Sequence, residues 1–301
     1  MEITVLICTR NNGESLRDTL ECLLTQEGAQ GLEYEIVVVD NQSTDGTRAV
    51  LEAYAQKFAG RLRYFYERRR GKPFALNLGV HHARGAIIAS TDDDCLPASD
   101  YLLRLHESFA AYKDITYLGG PISPHWEGCT PPAWLKDSFL ANLAMLDYGD
   151  APFLIDGKNE KRDVYGANFA FRRQAFDRFG GFCLEREYTQ DIEIIRRILE
   201  GGGTGLYAPA VRVRHKVTPK RVTKSYFYHW HFKKGRMRAY DGDITVKAIY
   251  PLGVPFWLWR ASLKQLVRLC RVEDEYQALR ERCHFFSQLG FICEQAKRHI
   301  V

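Results

Sequence analysis

Along the first hundred residues, short and nearly continuous apolar runs alternate with stretches in which apolar positions recur every three or four residues. Ile3-Thr4-Val5-Leu6-Ile7-Cys8, Tyr34-Glu35-Ile36-Val37-Val38-Val39 and Ala86-Ile87-Ile88-Ala89-Ser90-Thr91 have the length and apolar continuity of buried strands. Helical patterns run from Ser15 to Gln26 and from Thr47 to Phe58. Strand–helix alternation predicts parallel strands joined by right-handed crossovers, an α/β architecture. That connectivity brings the carboxyl ends of the strands to one edge, where open α/β sheets bind ligands. Farther along, Ile192, Ile194, Ile195, Ile198 and Leu199 mark an amphipathic helix, and Val211-Arg212-Val213-Arg214 reads as a strand ending at His215.

The strand ends are chemically unusual. The third run leads directly into Asp92-Asp93-Asp94, the second stops at Asp40, and the first ends in Thr9, Arg10, Asn11 and Asn12. Adjacent carboxylates repel unless a cation holds them, and hard divalent ions such as Mg²⁺ or Mn²⁺ take oxygen ligands of this kind. An acidic turn is the competing reading, since Asp is favoured in turns and Ser99 or Asp100 could cap the helix after Pro97.

Composition sets bounds only. A chain of 301 residues, 46% hydrophobic and free of repeats, can bury one large α/β core plus an appendage. The expected division is 1–220 for the catalytic domain and 221–301 for a helical C-terminal extension. Met1-Glu2-Ile3 enters a strand at once, without a leader pattern. The eight cysteines form no C-x-x-C pair, and Cys8 and Cys22 sit in apolar patterns expected of reduced core thiols. Both features favour the cytoplasm, with peripheral attachment to the inner face of the membrane open.

Taken in order, Val5-Leu6-Ile7-Cys8-Thr9-Arg10-Asn11, Val37-Val38-Val39-Asp40-Asn41-Gln42-Ser43-Thr44-Asp45-Gly46-Thr47, Gly71-Lys72-Pro73-Phe74-Ala75-Leu76-Asn77-Leu78-Gly79 and Thr91-Asp92-Asp93-Asp94 resemble glycosyltransferase family 2. Gly166-Ala167-Asn168-Phe169-Ala170-Phe171-Arg172, Phe179-Gly180-Gly181-Phe182 and Thr189-Gln190-Asp191-Ile192-Glu193 continue the resemblance over about two thirds of the chain. It implies the GT-A fold, a Rossmann-like, mostly parallel sheet flanked by helices, and a metal-dependent, inverting transfer from a nucleotide sugar in polysaccharide or glycoconjugate synthesis.

The resemblance assigns Asp40 to the base of the nucleotide, where a carboxylate can accept the imide N–H of uracil, and so favours a UDP-sugar donor. Thr9, Arg10 and Asn11 would lie beside the nucleotide. Asp92 and Asp94 are the outer members of a D-x-D signature, with Asp94 the direct ligand of Mn²⁺ or Mg²⁺ and Asp92 or Asp93 nearer the ribose, although three consecutive aspartates allow two registers. Lys72 is the one basic residue of the Arg68–Lys72 run carried toward the base or pyrophosphate. Asn168 belongs near the donor sugar or caps a turn, and His215 completes the metal or diphosphate site or is structural. Asp191, at the start of the amphipathic helix, is the general base that deprotonates the acceptor hydroxyl, and the helix N-terminus is expected to hold it ionised. The family usually shows Glu-Asp at this point; here Gln190 replaces the first carboxylate, which puts an acceptor contact in doubt.

From Val211 to Arg238 there are ten lysines and arginines, no acidic residue, and the interleaved aromatics Tyr226, Phe227, Tyr228, Trp230 and Phe232. This segment is expected to meet an anionic partner: the diphosphate, a lipid-linked phosphate acceptor, or anionic lipid. The run Ile249–Trp259, followed by Arg260, Lys264, Arg268 and Arg271, is too short and Pro-rich to span a bilayer. It fits an interfacial anchor or a helix buried against the catalytic domain or a second subunit of a homodimer. Pro121 to Ile155 reads as a lid or acceptor wall. Two other classes stay in view: a noncatalytic nucleotide-sugar or glycan-binding protein, which the intact aspartates disfavour, and a nucleic-acid binder suggested by the net charge of +5. The acidic crevice would repel a nucleic acid, so no nucleic-acid partner is expected.

Overall fold

A computed structural model describes residues 1–158, 164–185, 189–239, 256–269, 272 and 274–300. The first half contains β1 (Ile3–Thr9), α1 (Gly13–Leu24), β2 (Tyr34–Asp40), α2 (Thr47–Lys57), β3 (Leu62–Tyr66), α3 (Lys72–His82), β4 (Ile87–Asp92), β5 (Cys95–Pro97), α4 (Tyr101–Ala111), β6 (Tyr117–Gly119) and β7 (Ile122–Trp126). After a 3₁₀ turn at Asp137–Leu143 come β8 (Phe153–Ile155), β9 (Asn168–Arg172), α5 (Gln174–Phe179), α6 (Gln190–Glu200), β10 (Gly205–Tyr207) and β11 (Val213–Val217). A second 3₁₀ turn, Pro219–Val222, precedes α7 (Lys224–Arg238), α8 (Phe256–Leu269) and α9 (Glu275–Ile300). Two compact units result, one made of Met1–His125 with Ala144–Lys216, the other of Trp126–Leu143 with Val217–Val301.

The first unit is the α/β body. Its main sheet has the strand order β3-β2-β1-β4-β9-β6-β10-β8. β3, β2, β1 and β4 run parallel, β9 runs antiparallel to both β4 and β6, and β10 is parallel to β6 and antiparallel to β8. Val5, Leu6, Ile7, Val37, Val38 and Val39 are fully buried, as continuous apolar strands covered on both faces must be. The helix α3 presses close to β1 because Gly79 has no side chain: a Cβ there would stand 2.1 Å from Leu6 Cδ1. At the amino half of the sheet the buried Glu35 receives the guanidinium of Arg63 at 2.7 Å, the Thr4 hydroxyl at 2.8 Å and the Arg84 backbone N–H at 2.7 Å. A charge inside a strand is tolerable only with such partners.

A three-stranded sheet, β5-β11-β7, stands beside the carboxyl edge. The pairing of β11 with β5 matches Val213 to Pro97, Arg214 to Leu96 and His215 to Cys95. His215 therefore lies in the middle of a strand rather than at the end of one beginning at Val211. Cys8 and Cys22 are half-buried rather than in the core, and all seven cysteines among the described residues are free.

The second unit is built on α7 and α9. Gly235 of α7 and Gly290 of α9 mark their crossing, where a Cβ would come within 1.9 Å of the Ser287 carbonyl and 2.0 Å of the Phe232 carbonyl respectively. The aromatics of α7 are largely packing groups and not the anion-facing set expected. Phe227 is fully buried with Trp134 and Phe139 rings edge-on at 5.5 and 5.4 Å, and Tyr228 stacks on Phe286 at 5.0 Å. Tyr226, Tyr228, Trp230 and Phe232 are half-buried, and Lys233, Lys234 and Arg238 are exposed. Residues 126–143 are accordingly part of this packed unit and not a free lid. Residues 249–255 and Arg271, expected in an anchor, lie outside the described residues. No helix among those described is long and apolar enough to cross a membrane.

Candidate functional site

Strand register puts the polar strand ends side by side. Thr9 stands opposite Asp40 across β1 and β2, and Cys8 stands opposite Asp92 across β1 and β4. The Asp40 carboxylate is buried and its Oδ1 accepts the Ser43 N–H at 2.9 Å. Asn11 adopts a φ of 52°, a left-handed conformation that Asn tolerates better than most residues. It bonds the next loop, its N–H donating to Ser43 Oγ at 2.9 Å and its Oδ1 accepting the Thr44 N–H at 2.6 Å. Asn41 ties in the third loop by donating to the Arg69 carbonyl at 2.7 Å and accepting the Gly71 N–H at 2.9 Å. Three loops after three strands are thus fastened into one rim, with the Arg10 side chain exposed on it.

Each of the three consecutive aspartates has a different partner. Asp92 Oδ1 accepts from the ammonium of Lys72 at the start of α3. Asp93 Oδ1 accepts the Asn12 Nδ2 amide at 2.9 Å. Asp94 Oδ1 lies 3.2 Å from Nε2 of the buried His215. Burial, and then the charges of Asp94 and Asp92, push Asp93 up to about 7, while the Thr9 hydroxyl and the Asn12 amide pull it partly back. For Lys72, burial disfavours the charge, but the attraction and hydrogen bond of Asp92 outweigh it and the ammonium is held above its ordinary range. Lys72 thus sits among the carboxylates and not free on the rim.

The donor set fits a divalent metal. Atoms of Asp94, Cys95 and His215 lie within 4.8 Å of one another, the group of this kind found among the described residues. A carboxylate oxygen and an imidazole nitrogen suit Mn²⁺. Burial holds the Cys95 thiol well above its usual pKa, in the protonated form that is a poor ligand for a hard ion. Antiparallel pairing of β5 and β11 is what places His215 across from Cys95 and next to Asp94.

Asp191 opens α6 as expected, and its carboxylate is gripped at both oxygens. Oδ2 accepts the Gly166 N–H at 2.9 Å and Oδ1 accepts the Ile192 N–H at 2.9 Å. At position 166 a Cβ would lie 2.9 Å from the Phe169 ring and 3.3 Å from Asp191 Oδ2, so the close approach needs glycine. Burial nevertheless raises the Asp191 pKa. The Gly166 N–H, the Lys72 charge and the Ile192 N–H oppose that rise without cancelling it. The pull of the helix N-terminus on this carboxylate is thus smaller than the cost of burying it.

Asn168 is not brought to the rim. It is fully buried, and its Nδ2 donates to the Pro121 carbonyl at 3.1 Å and the Val211 carbonyl at 2.8 Å, tying two loops to β9. Gln190 is buried too, its Oε1 without a hydrogen-bond donor among the described residues. His229 and His231 lie in the second unit, bonded to the Ser225 carbonyl and to Asn142. Four contributors escaped the sequence reading: Asn12, Asn41, Cys95 and the backbone N–H of Gly166. The asparagines had a detectable signal, since Asn41 follows the end of β2 directly and Asn12 lies three residues past the end of β1, whereas a backbone donor carries none.

Comparison with known proteins matches residues 4–180 to a family model described as "Glycosyl transferase family 2". A glucosyl-dolichyl phosphate glucuronosyltransferase of Haloferax volcanii is 23% identical over 248 residues, 78% of this chain and 75% of that protein. Glycosyltransferase AglE of the same organism is 29% identical over 254 residues, 84% of this chain and 79% of its own length. Among solved structures, a mannosyltransferase from Pyrobaculum calidifontis in complex with GDP-Man and Mn²⁺ superposes with a TM-score of 0.62 at 20% identity, covering 99% of this chain and 87% of that one. At that identity the superposition speaks for the fold.

Proposed function

The chain belongs to glycosyltransferase family 2 and acts in glycoconjugate or polysaccharide synthesis, and from that premise we propose that it transfers a sugar, with inversion, from a UDP-sugar to a glycan or lipid-linked phosphate acceptor. The observation that carries this reading is the register of β2, β1 and β4, which sets Asp40, Thr9 and the Asp92–Asp94 run on one edge. Asp40 binds the uracil imide, and Thr9, Arg10 and Asn11 line the nucleotide. Asp94 and His215 would hold the divalent ion, with Asp92 near the donor. Bound there, Mn²⁺ or Mg²⁺ supplies the positive charge that stabilises the departing diphosphate. Lys72 adds a fixed cation at the same edge.

Asp191 takes the proton of the acceptor hydroxyl while its oxygen attacks the anomeric carbon from the side opposite the diphosphate. Both carboxylate oxygens are oriented by backbone N–H groups, so the base is aimed before the acceptor arrives. A lipid-phosphate acceptor is supported by the Haloferax volcanii relative, whose name specifies a glucosyl-dolichyl phosphate. A metal requirement is supported by the Mn²⁺ of the Pyrobaculum calidifontis neighbour. That neighbour's nucleotide is GDP-linked, so the base specificity proposed from Asp40 needs its own test.

Calorimetric titration with UDP, GDP, CDP and dTDP, each with and without Mn²⁺, on the wild type and on Asp40→Ala, supplies it. The expected result is metal-dependent binding of UDP that is lost in the variant. Preference for GDP would overturn the donor assignment, and no binding of any nucleotide by folded protein would leave a noncatalytic member of the fold.

A further inference from the structure

Two polar side chains of the helix α8 face inward. Ser262 and Gln265 are almost fully covered, the Ser262 hydroxyl donating to Gln288 Oε1 at 3.0 Å and Gln265 Nε2 to the Glu281 carbonyl at 3.2 Å, both on α9. The exposed positions include Trp259 and Leu263, one turn apart, and beside them Arg260 and Lys264, also one turn apart. Leu263 is 65% exposed, the most exposed of the large hydrophobic residues among those described, and Trp259 is 39% exposed. Arg260 and Lys264 have no acidic partner among the described residues.

We propose that this outward face of α8 is a docking surface for an anionic lipid bilayer, on which the helix lies flat. The hydrogen bonds of Ser262 and Gln265 to α9 fix which side is turned out, so the exposed apolar pair is a consequence of the packing. Trp and Leu at adjacent turns enter the boundary between headgroups and acyl chains, and flanking Arg and Lys side chains reach anionic headgroups. Within Phe256–Leu269 the charged residues are Arg260, Lys264 and Arg268, with no Asp or Glu. That charge argues against the same face meeting a second copy of itself, because two such helices would bring like charges together. The proposal goes beyond the transferase reading and does not depend on it.

Flotation of the full chain with phosphatidylcholine vesicles, with and without phosphatidylglycerol, at low and high NaCl, tests it. Wild type is expected to float with the anionic vesicles at low salt, to do so less at high salt, and to stay behind with pure phosphatidylcholine. The double variant Arg260→Gln/Lys264→Gln should lower partitioning by about thirtyfold, from the usual contribution of a basic residue near an anionic surface. Leu263→Glu should abolish flotation, with an unchanged melting temperature and unchanged nucleotide binding. Failure of the wild type to float, or flotation of both variants equal to that of the wild type, overturns the proposal. A fall in native mass caused by Leu263→Glu also overturns it, by assigning the face to a subunit contact.

Discussion

Asp191 is held by two backbone N–H groups that favour its charge and by burial that disfavours it, and burial prevails. A base must be deprotonated to act, so activity falls as pH falls through its pKa. With that pKa raised, the acid limb of kcat/KM should lie higher than an ordinary aspartate would place it, and a limb at or below that position would show that another group is the base. Asp191→Asn keeps one oxygen to accept one of the two backbone N–H groups, loses the acceptor for the other, and removes the basicity. Transfer should drop by about 10²–10⁴-fold, the usual share of general base catalysis, with UDP affinity by calorimetry changed little. Asp94→Ala should instead weaken Mn²⁺ and donor binding together by more than about tenfold, beyond what outer-shell changes cost; intact metal binding would exclude Asp94 as a ligand. The three aspartates were readable because consecutive carboxylates after an apolar strand are unusual. Which aspartate pairs with Lys72, with Asn12 and with His215 was not, because only the tertiary pairing of β1, β4, β5 and β11 sets those partners.

Elements differ in how much of their role is written locally. The long strands β1, β2 and β4 were legible because burial on both faces forces a continuous apolar run, and the crossover rule then fixed the edge on which Thr9, Asp40 and Asp92 meet. The antiparallel direction of β9 and, apart from a strand near Val213, the small β5-β11-β7 sheet were not, since strands of three to five residues are too short to show a clear period. In α7 the packing role of Phe227 was missed because its burial depends on Trp134 and Phe139, some ninety residues away in sequence. The crossing of α7 and α9 offers a direct test. Gly290→Ala sets a methyl against the Phe232 carbonyl, a backbone atom that cannot swing aside. Destabilisation of about 1–3 kcal/mol is expected from such overpacking, read as faster amide exchange in α7 and α9. Unchanged exchange would mean that the helices separate without cost.

For the molecule as a whole, the net charge of +5 conceals a sheet edge where carboxylates are crowded. Asp93, pushed up to about 7 against an ordinary 3.8, binds a proton in the folded state at pH values where the unfolded chain has released it. The folded state therefore holds more protons across that window, and stability from this group is full below about pH 4 and is lost as pH rises toward 7. Burial shifts Asp191 in the same direction. Asp93→Asn keeps an oxygen to accept the Asn12 amide and removes the charge, so its melting temperature should exceed that of the wild type by less at pH 5 than at pH 8. A divalent ion at Asp94 and His215 would offset the repulsion that raises Asp93, and its stabilisation follows mass action. Added Mn²⁺ should then raise the wild-type melting temperature more at pH 8 than at pH 5 and narrow the gap to Asp93→Asn. A gap that is the same at both pH values would mean that Asp93 ionises without penalty. A gap that opens with pH but ignores Mn²⁺ would keep the electrostatic strain while removing the metal from this edge.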